Sequence, residues 1–169
     1  MSIKMSRLLA ALAAASLLAA CGEQALTGAA QEPGPETACA LDGMVLRDFP
    51  GPKAQIRYAD GKADYYCDLM ELFTLLLKPE QRRRVAGVFV QDMGKTAWDK
   101  PSGAWMAASA ALYVVGSRKQ GSMGPTFASF SDPGQAAAFA KAEGGKVLPY
   151  SQITAAMLDT GHGAGDMGH

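Results

Sequence analysis

The stretch AQIRYADGKADYYCDLMELF, residues 54–73, holds most of the plan of the fold. Ala54 to Ala59 and Ala63 to Cys67 alternate in the manner of strands, and Asp60-Gly61 between them is a hairpin turn signal. Asp68 is suited to cap a helix, with Glu71 three residues on as its capping-box partner and Leu72, Phe73, Leu75, Leu76 and Leu77 behind it. Pro79 ends that helix near Lys78 and opens a further turn through Arg84. Val85 to Met93 (VAGVFVQDM) then reads as a β-branched strand, so the order is strand, strand, helix, strand.

The same order recurs downstream. Ala111 to Gly116 is a strand, Ser117 to Pro125 a Gly-rich turn, and Thr126 to Phe130 the returning strand. Asp132-Pro133-Gly134-Gln135 repeats the cap, with Pro at the first helical position and an amide at the third. Ala136 to Glu143 is the helix, Gly144-Gly145 stops it, and Lys146 to Tyr150 is the last strand. Tyr66-Cys67-Asp68 stands against Phe130-Ser131-Asp132 at the two strand-to-helix junctions. The expected class is α+β, with two tandem homologous ββαβ units at 37–93 and 111–159 and a connecting insert at 94–110. A hairpin with one helix buries too little to stand alone, so the units should pack together or lean on the insert. Trp98 and Trp105 in the insert read as packing residues, and Ser151 to Asp159 as a short terminal helix capped by Ser151.

The flanks are of another kind. Lys4 and Arg7 precede an apolar run from Leu8 to Ala20 that is too short for a comfortable membrane span, and Leu18-Ala19-Ala20-Cys21 closes it as a lipobox would. Residues 1–20 are therefore expected to be a lipoprotein signal peptide and Cys21 the acylated first residue of the mature chain. Residues 21–36, rich in Gly, Ala, Gln, Glu and Pro, read as a lipidated flexible stalk, and 160–169 as a disordered tail. Removing residues 1–20 turns 16 basic and 16 acidic residues into 14 against 16, which leaves no electrostatic footprint for nucleic acid.

Enzyme constellations are scarce. The two histidines, His162 and His169, both lie in the tail, so no Ser-His-Asp or Cys-His arrangement fits a rigid scaffold. There is no phosphate loop and no CxxC pair. With Cys21 acylated, Cys39 and Cys67 remain, and in an oxidising compartment a Cys39–Cys67 disulfide in a structural lipoprotein is one open reading, a thiol-dependent enzyme another.

The third reading starts from sulfur in loops. Met44 follows Asp42-Gly43, Met93 precedes a glycine, and Met123 stands in Gly121-Ser122-Met123-Gly124-Pro125, where a thioether has nothing to fill. Met70 and Met157 read instead as core filler. An Asp42-Gly43 turn folds Cys39 and Met44 toward one point, and Met123 offers a third ligand from the second hairpin loop. A thiolate with thioethers is a soft set that selects Cu(I) over zinc, magnesium or calcium. His162, Met167 and His169 are possible auxiliary ligands in the tail. Loop ligands suit temporary holding, hence a carrier rather than a catalyst.

The lipobox at Cys21, the Cys39-to-Met44 segment, Phe-Pro-Gly-Pro-Lys-Ala-Gln-Ile at 49–56, Ala-Leu-Tyr-Val-Val-Gly-Ser at 111–117 and Met-Gly-Pro at 123–125 together resemble the NosL family of copper lipoproteins. The resemblance spans nearly all of the mature chain. It implies a lipid-anchored protein on the periplasmic side of the outer membrane of a Gram-negative bacterium. It also implies transfer of Cu(I) to nitrous oxide reductase for its copper–sulfide centre, with an ABC-type maturation complex as a further partner. Cys39 and Met44 match the family's copper motif and Met123 its loop methionine. Where many relatives carry Cys-x-x-Cys-Gly-Met, this chain has Asp42 in the second cysteine's place.

Overall fold

The computed structural model describes residues 28–78 and 83–159. The signal peptide, Cys21, the Pro79 turn, and the tail with His162, Met167 and His169 lie outside the described residues.

The first unit runs β1 (Ala54–Tyr58), β2 (Ala63–Tyr66), α1 (Leu69–Leu76) and β3 (Val85–Gln91). β1 is central, antiparallel to β2 on one side and β3 on the other. Its Ala54, Ile56 and Tyr58 enter the core, because side chains two apart share a face. The β1–β2 turn closes with Tyr58 N–H donating to Lys62 O at 2.9 Å, and Asp60 Oδ1 accepting from Lys62 N–H at 3.0 Å. α1 begins in a full capping box: Asp68 accepts from Glu71 N–H while the Glu71 carboxylate accepts from Asp68 N–H.

The insert does more than connect. Its Trp105–Ala107 segment forms β4 against β3, so the first sheet has four strands in the order β2-β1-β3-β4. The second unit runs β5 (Leu112–Val115), β6 (Ala128–Phe130), α2 (Pro133–Glu143) and β7 (Lys146–Pro149), with sheet order β6-β5-β7. In both units the first strand lies in the middle, flanked by the second and the last. α2 starts three residues earlier than its alanine run, at Pro133, because Asp132 accepts from Gln135 N–H at 2.8 Å. Gly144 caps the helix, and Gly145 after it takes φ 95° with its α-carbon against the β5 backbone, where an added Cβ would lie 2.7 Å from Val115 O.

The units share one core. Phe73 of α1 meets Tyr113 of β5 edge-on at 5.1 Å and packs on Phe127 at 5.8 Å and Tyr150 at 5.7 Å. Met93 N–H donates to Ser129 O and Ser129 Oγ–H to Gln91 O, stitching the end of β3 to β6. Trp98 stacks on Phe139 of α2 at 5.6 Å.

Two expectations change. The segment 151–159 is not an α-helix: it forms two 3-10 turns, Tyr150–Gln152 and Ala155–Met157, because Tyr150 and Ile153 are drawn into the shared core. The stalk, expected across 21–36, is docked where it is described. Gln55 exchanges two hydrogen bonds with the Gln31 backbone at 2.8 and 2.9 Å, and Glu32 accepts from Trp105 Nε1–H at 2.7 Å. With Arg57 donating to Gln31 Oε1 at 2.9 Å, these contacts cover the polar face of β1 formed by Gln55 and Arg57.

Candidate metal centre

Residues 37–46 form a closed loop. Ala38 bridges Val45, Cys39 N–H donates to Met44 O at 2.8 Å, and Gly43 N–H donates to Cys39 O at 3.0 Å. Asp42 Oδ1 accepts from Met44 N–H at 2.9 Å, an Asx turn, while Gly43 takes φ 79°, which a glycine adopts without strain. The turn expected at Asp42-Gly43 is thus present. The loop is pinned to β2 by Ala40 N–H donating to Tyr65 O at 2.8 Å and to the core by buried Leu46.

Cys39 is buried beneath this loop. Its thiol donates to Glu71 Oε2 at 3.1 Å and accepts from Leu41 N–H at 3.4 Å. The same Glu71 oxygen accepts Cys67 N–H at 2.8 Å, so one carboxylate of the α1 cap holds both cysteine positions. The Cys67 thiol, wholly buried, points to Met44 O at 3.7 Å. Both thiols are free, so the disulfide reading does not describe this structure. Cys39 Sγ, Cys67 Sγ and a carboxylate oxygen of Asp42 lie within 4.8 Å of one another, and of these residues only Asp42 is exposed.

Burial dominates the electrostatics. It pushes the Cys39 thiol up, against backbone N–H groups that favour the thiolate. It pushes the Cys67 thiol far up, helped by the charges of Cys39, Glu71 and Asp42. Glu71 is also raised, by burial first and then by Asp68 and Asp42, with the hydrogen bonds from Cys39 and Cys67 opposing. Lys53, itself buried, donates from Nζ to Cys67 O and Pro50 O at 2.9 Å each; burial pulls it down to about 8. These thiols are protonated at neutral pH, the opposite of an activated nucleophile, and a soft metal ion must displace their protons to bind.

Met44 is half-buried against the core, in the same loop as Cys39. Met123 is 71% exposed on the loop before β6. That loop closes with Gly121 N–H donating to Gly124 O at 2.6 Å, and Ser122 Oγ–H ties it to Asp68 Oδ2 at 2.8 Å. A cavity of about 210 Å³ separates Met123 from Leu41 and is lined also by Asp68, Met70, Glu71 and Thr74. Glu71 contacts the Cys39 thiol and lines the cavity beside Met123, so it stands between the two, but the structure does not bring Met123 into contact with Cys39. Sequence reasoning gave Cys67, Glu71 and Met70 other roles, a disulfide or enzyme thiol, a helix cap and core filler, and did not place Glu71 and Met70 on this cavity or Cys67 beside Cys39. The signal for Glu71 was the capping box itself, which places its carboxylate beside the N–H of residue 67.

These features define a small α+β protein with two ββαβ units that gathers two buried thiols and exposed or half-buried thioethers around one helix N-terminus. The chain belongs to the NosL family, whose model matches residues 30–158. It is 40% identical over 121 residues to a copper-binding lipoprotein NosL of Stutzerimonas stutzeri, covering 71% of this chain and 63% of that one. A copper-binding lipoprotein NosL of Achromobacter cycloclastes is 41% identical over 154 residues, covering 88% and 80%. The crystal structure of the copper chaperone NosL from Shewanella denitrificans superposes with a TM-score of 0.73 at 37% identity, covering 76% of this chain and 98% of that one.

Proposed function

We propose that this chain is a Cu(I) carrier rather than an enzyme, with Cys39 as the thiolate ligand and Met44 and Met123 as thioether ligands. The observation that carries the reading is a thiol held at the base of a surface loop, joined through Glu71 to a cavity over which an exposed methionine hangs. Thiolate and thioether donors suit Cu(I). The naming of its relatives as copper-binding lipoproteins and a copper chaperone supports the same cargo. Here copper is what the protein moves, so the site must also let it go. Met123, standing in solvent, is the ligand that an incoming donor displaces first.

The client in this proposal is nitrous oxide reductase, which receives copper for its copper–sulfide centre with an ABC-type maturation complex as a further partner. Acylated Cys21 anchors the carrier on the periplasmic side of the outer membrane, and His162, Met167 and His169 assist capture from the tail. The test is anaerobic titration with Cu(I) against a chromophoric competitor, on the full chain carrying Cys21→Ser, beside Cys39→Ser and Met44→Ala. Stoichiometric uptake lost in Cys39→Ser, with free thiols in the parent, is expected. Undiminished uptake in Cys39→Ser overturns the site. For the client, cells whose only copy carries Cys39→Ser should yield copper-deficient nitrous oxide reductase.

A further inference from the structure

Cys67 enters the sequence analysis as a disulfide partner or an enzyme thiol, not as a metal ligand, and the copper site proposed above does not use it. It is wholly buried, yet its sulfur lies within 4.8 Å of the Cys39 sulfur, and a carboxylate oxygen of exposed Asp42 lies within the same distance of both. A metal–thiolate bond of about 2.3 Å, as in zinc sites, lets one bridging ion hold two sulfurs up to about 4.6 Å apart. The two thiols thus already stand at roughly the span of a sulfur–metal–sulfur unit.

We infer that Cys67 is a second thiolate ligand, the inner one, so that the ion is held between Cys39 and Cys67 and reached from the Asp42 side. This rests on the copper reading. The balance is simple: Cu⁺ enters, each thiol loses its proton to solvent, and copper stays Cu(I) throughout. The product, two thiolates and one Cu⁺, carries one negative charge in a buried place, and the Lys53 ammonium supplies the opposite charge through its hydrogen bond to Cys67 O. A fully buried ligand also separates two duties. Cys67, the more deeply buried of the two, retains the ion, while Cys39 beneath the surface loop and exposed Met123 lie on the side of the recipient.

The test uses the full chain with Cys21→Ser and every methionine replaced by selenomethionine, so that Cys39 and Cys67 are its only sulfur atoms. Loaded anaerobically with one Cu(I), it is examined by X-ray absorption at the copper edge. Methionine ligands then appear as Cu–Se and cysteine ligands as Cu–S, without touching either thiol. Two Cu–S scatterers are expected; one, with Cys39 still required for uptake, overturns the Cys67 assignment and leaves the carrier reading intact. No uptake at all overturns both. Cys67→Ser and Cys67→Ala should each take up one Cu(I) with at least tenfold weaker affinity. Undiminished affinity in a folded Cys67→Ala overturns the inference, and the unmutated thiols of the selenomethionine protein keep the test open if neither variant folds.

Discussion

Replacing Glu71 with alanine tests whether one carboxylate holds the candidate site together. The Glu71 oxygen accepts from Cys67 N–H at 2.8 Å, the Cys39 thiol at 3.1 Å and Asp68 N–H at 3.4 Å. Leaving a buried donor unsatisfied costs about 1–3 kcal/mol, and losing a helix cap about 1 kcal/mol. Two terms oppose this. Glu71 is itself a buried carboxylate whose ionised form is disfavoured, and the neighbouring cavity of about 210 Å³ admits water to the freed N–H groups. The net expectation for Glu71→Ala is a loss of about 2 kcal/mol, a urea midpoint lower by about 1 M for a slope of 1–3 kcal/mol per M. Glu71→Gln keeps an acceptor for Cys67 N–H and should stay within about 1 kcal/mol of wild type. The two substitutions also separate by pH. Because burial raises Glu71 above its ordinary 4.5, the native state binds more protons than the unfolded chain between 4.5 and the raised value. Wild-type stability therefore falls as pH rises through that window, and Glu71→Gln lacks the fall. Equal costs for the two variants, or an alanine variant within about 0.5 kcal/mol of wild type, would refute the assignment of Glu71 as the shared acceptor.

Lys53→Met should alter the alkaline side of the stability profile. Burial lowers Lys53 from 10.5 to about 8, so between those values the unfolded chain binds more protons and this residue adds stability as pH rises, up to about 3 kcal/mol. The raised thiols of Cys39 and Cys67 work the other way, so the difference between variant and wild-type urea midpoints from pH 7.5 to 10.5 isolates the lysine; a flat difference contradicts it. Met123→Ala should leave thermal stability unchanged within about 0.5 kcal/mol, since the side chain is 71% exposed, yet hasten Cu(I) loss to a competing chelator severalfold. Unchanged release would remove Met123 from the ligand set. Asp132→Ala, which removes the α2 cap, should cost about 1 kcal/mol in urea and leave Cu(I) uptake as it was.

What the sequence disclosed follows from how far each interaction reaches along the chain. Asp60-Gly61, the Asp68/Glu71 box and Asp132-Pro133 act within three or four residues, and each marks its element correctly. The segment 151–159 carried a cap-like Ser151 and apolar residues at helical spacing, but Tyr150 against Phe73 and buried Ile153 bind it to a core made by both units. Tertiary packing overrode propensity there. The docked stalk depends on Gln31 meeting Gln55, 24 positions away, a pairing with no local sign. The site divides in the same way. The Cys39–Met44 loop was legible through Asp42-Gly43, whereas Cys67 looked like the last residue of an alternating strand. Its approach to Cys39 is fixed by the docking of Ala40 on Tyr65, and the position of Met123 by Ser122 reaching Asp68 across 54 residues.

The contacts that hold the thiols and the Met123 loop converge on the first turn of α1, which has an energetic consequence. Asp68 caps Glu71 N–H with one oxygen and holds the Met123 loop through Ser122 with the other. Glu71 completes the box at Asp68 N–H while accepting from Cys67 N–H and the Cys39 thiol. A helix cap normally stabilises its own helix and little else, so its loss is local. Here the same two carboxylates set where the thiol and the outer methionine stand. Substitutions at Asp68 and Glu71 share partners and should not add: their double variant should cost less than the sum of the single ones, in stability and in Cu(I) affinity alike. Strict additivity, measured by a double-mutant cycle in urea and repeated in the copper competition, would mean that the cap and the metal site only happen to be neighbours.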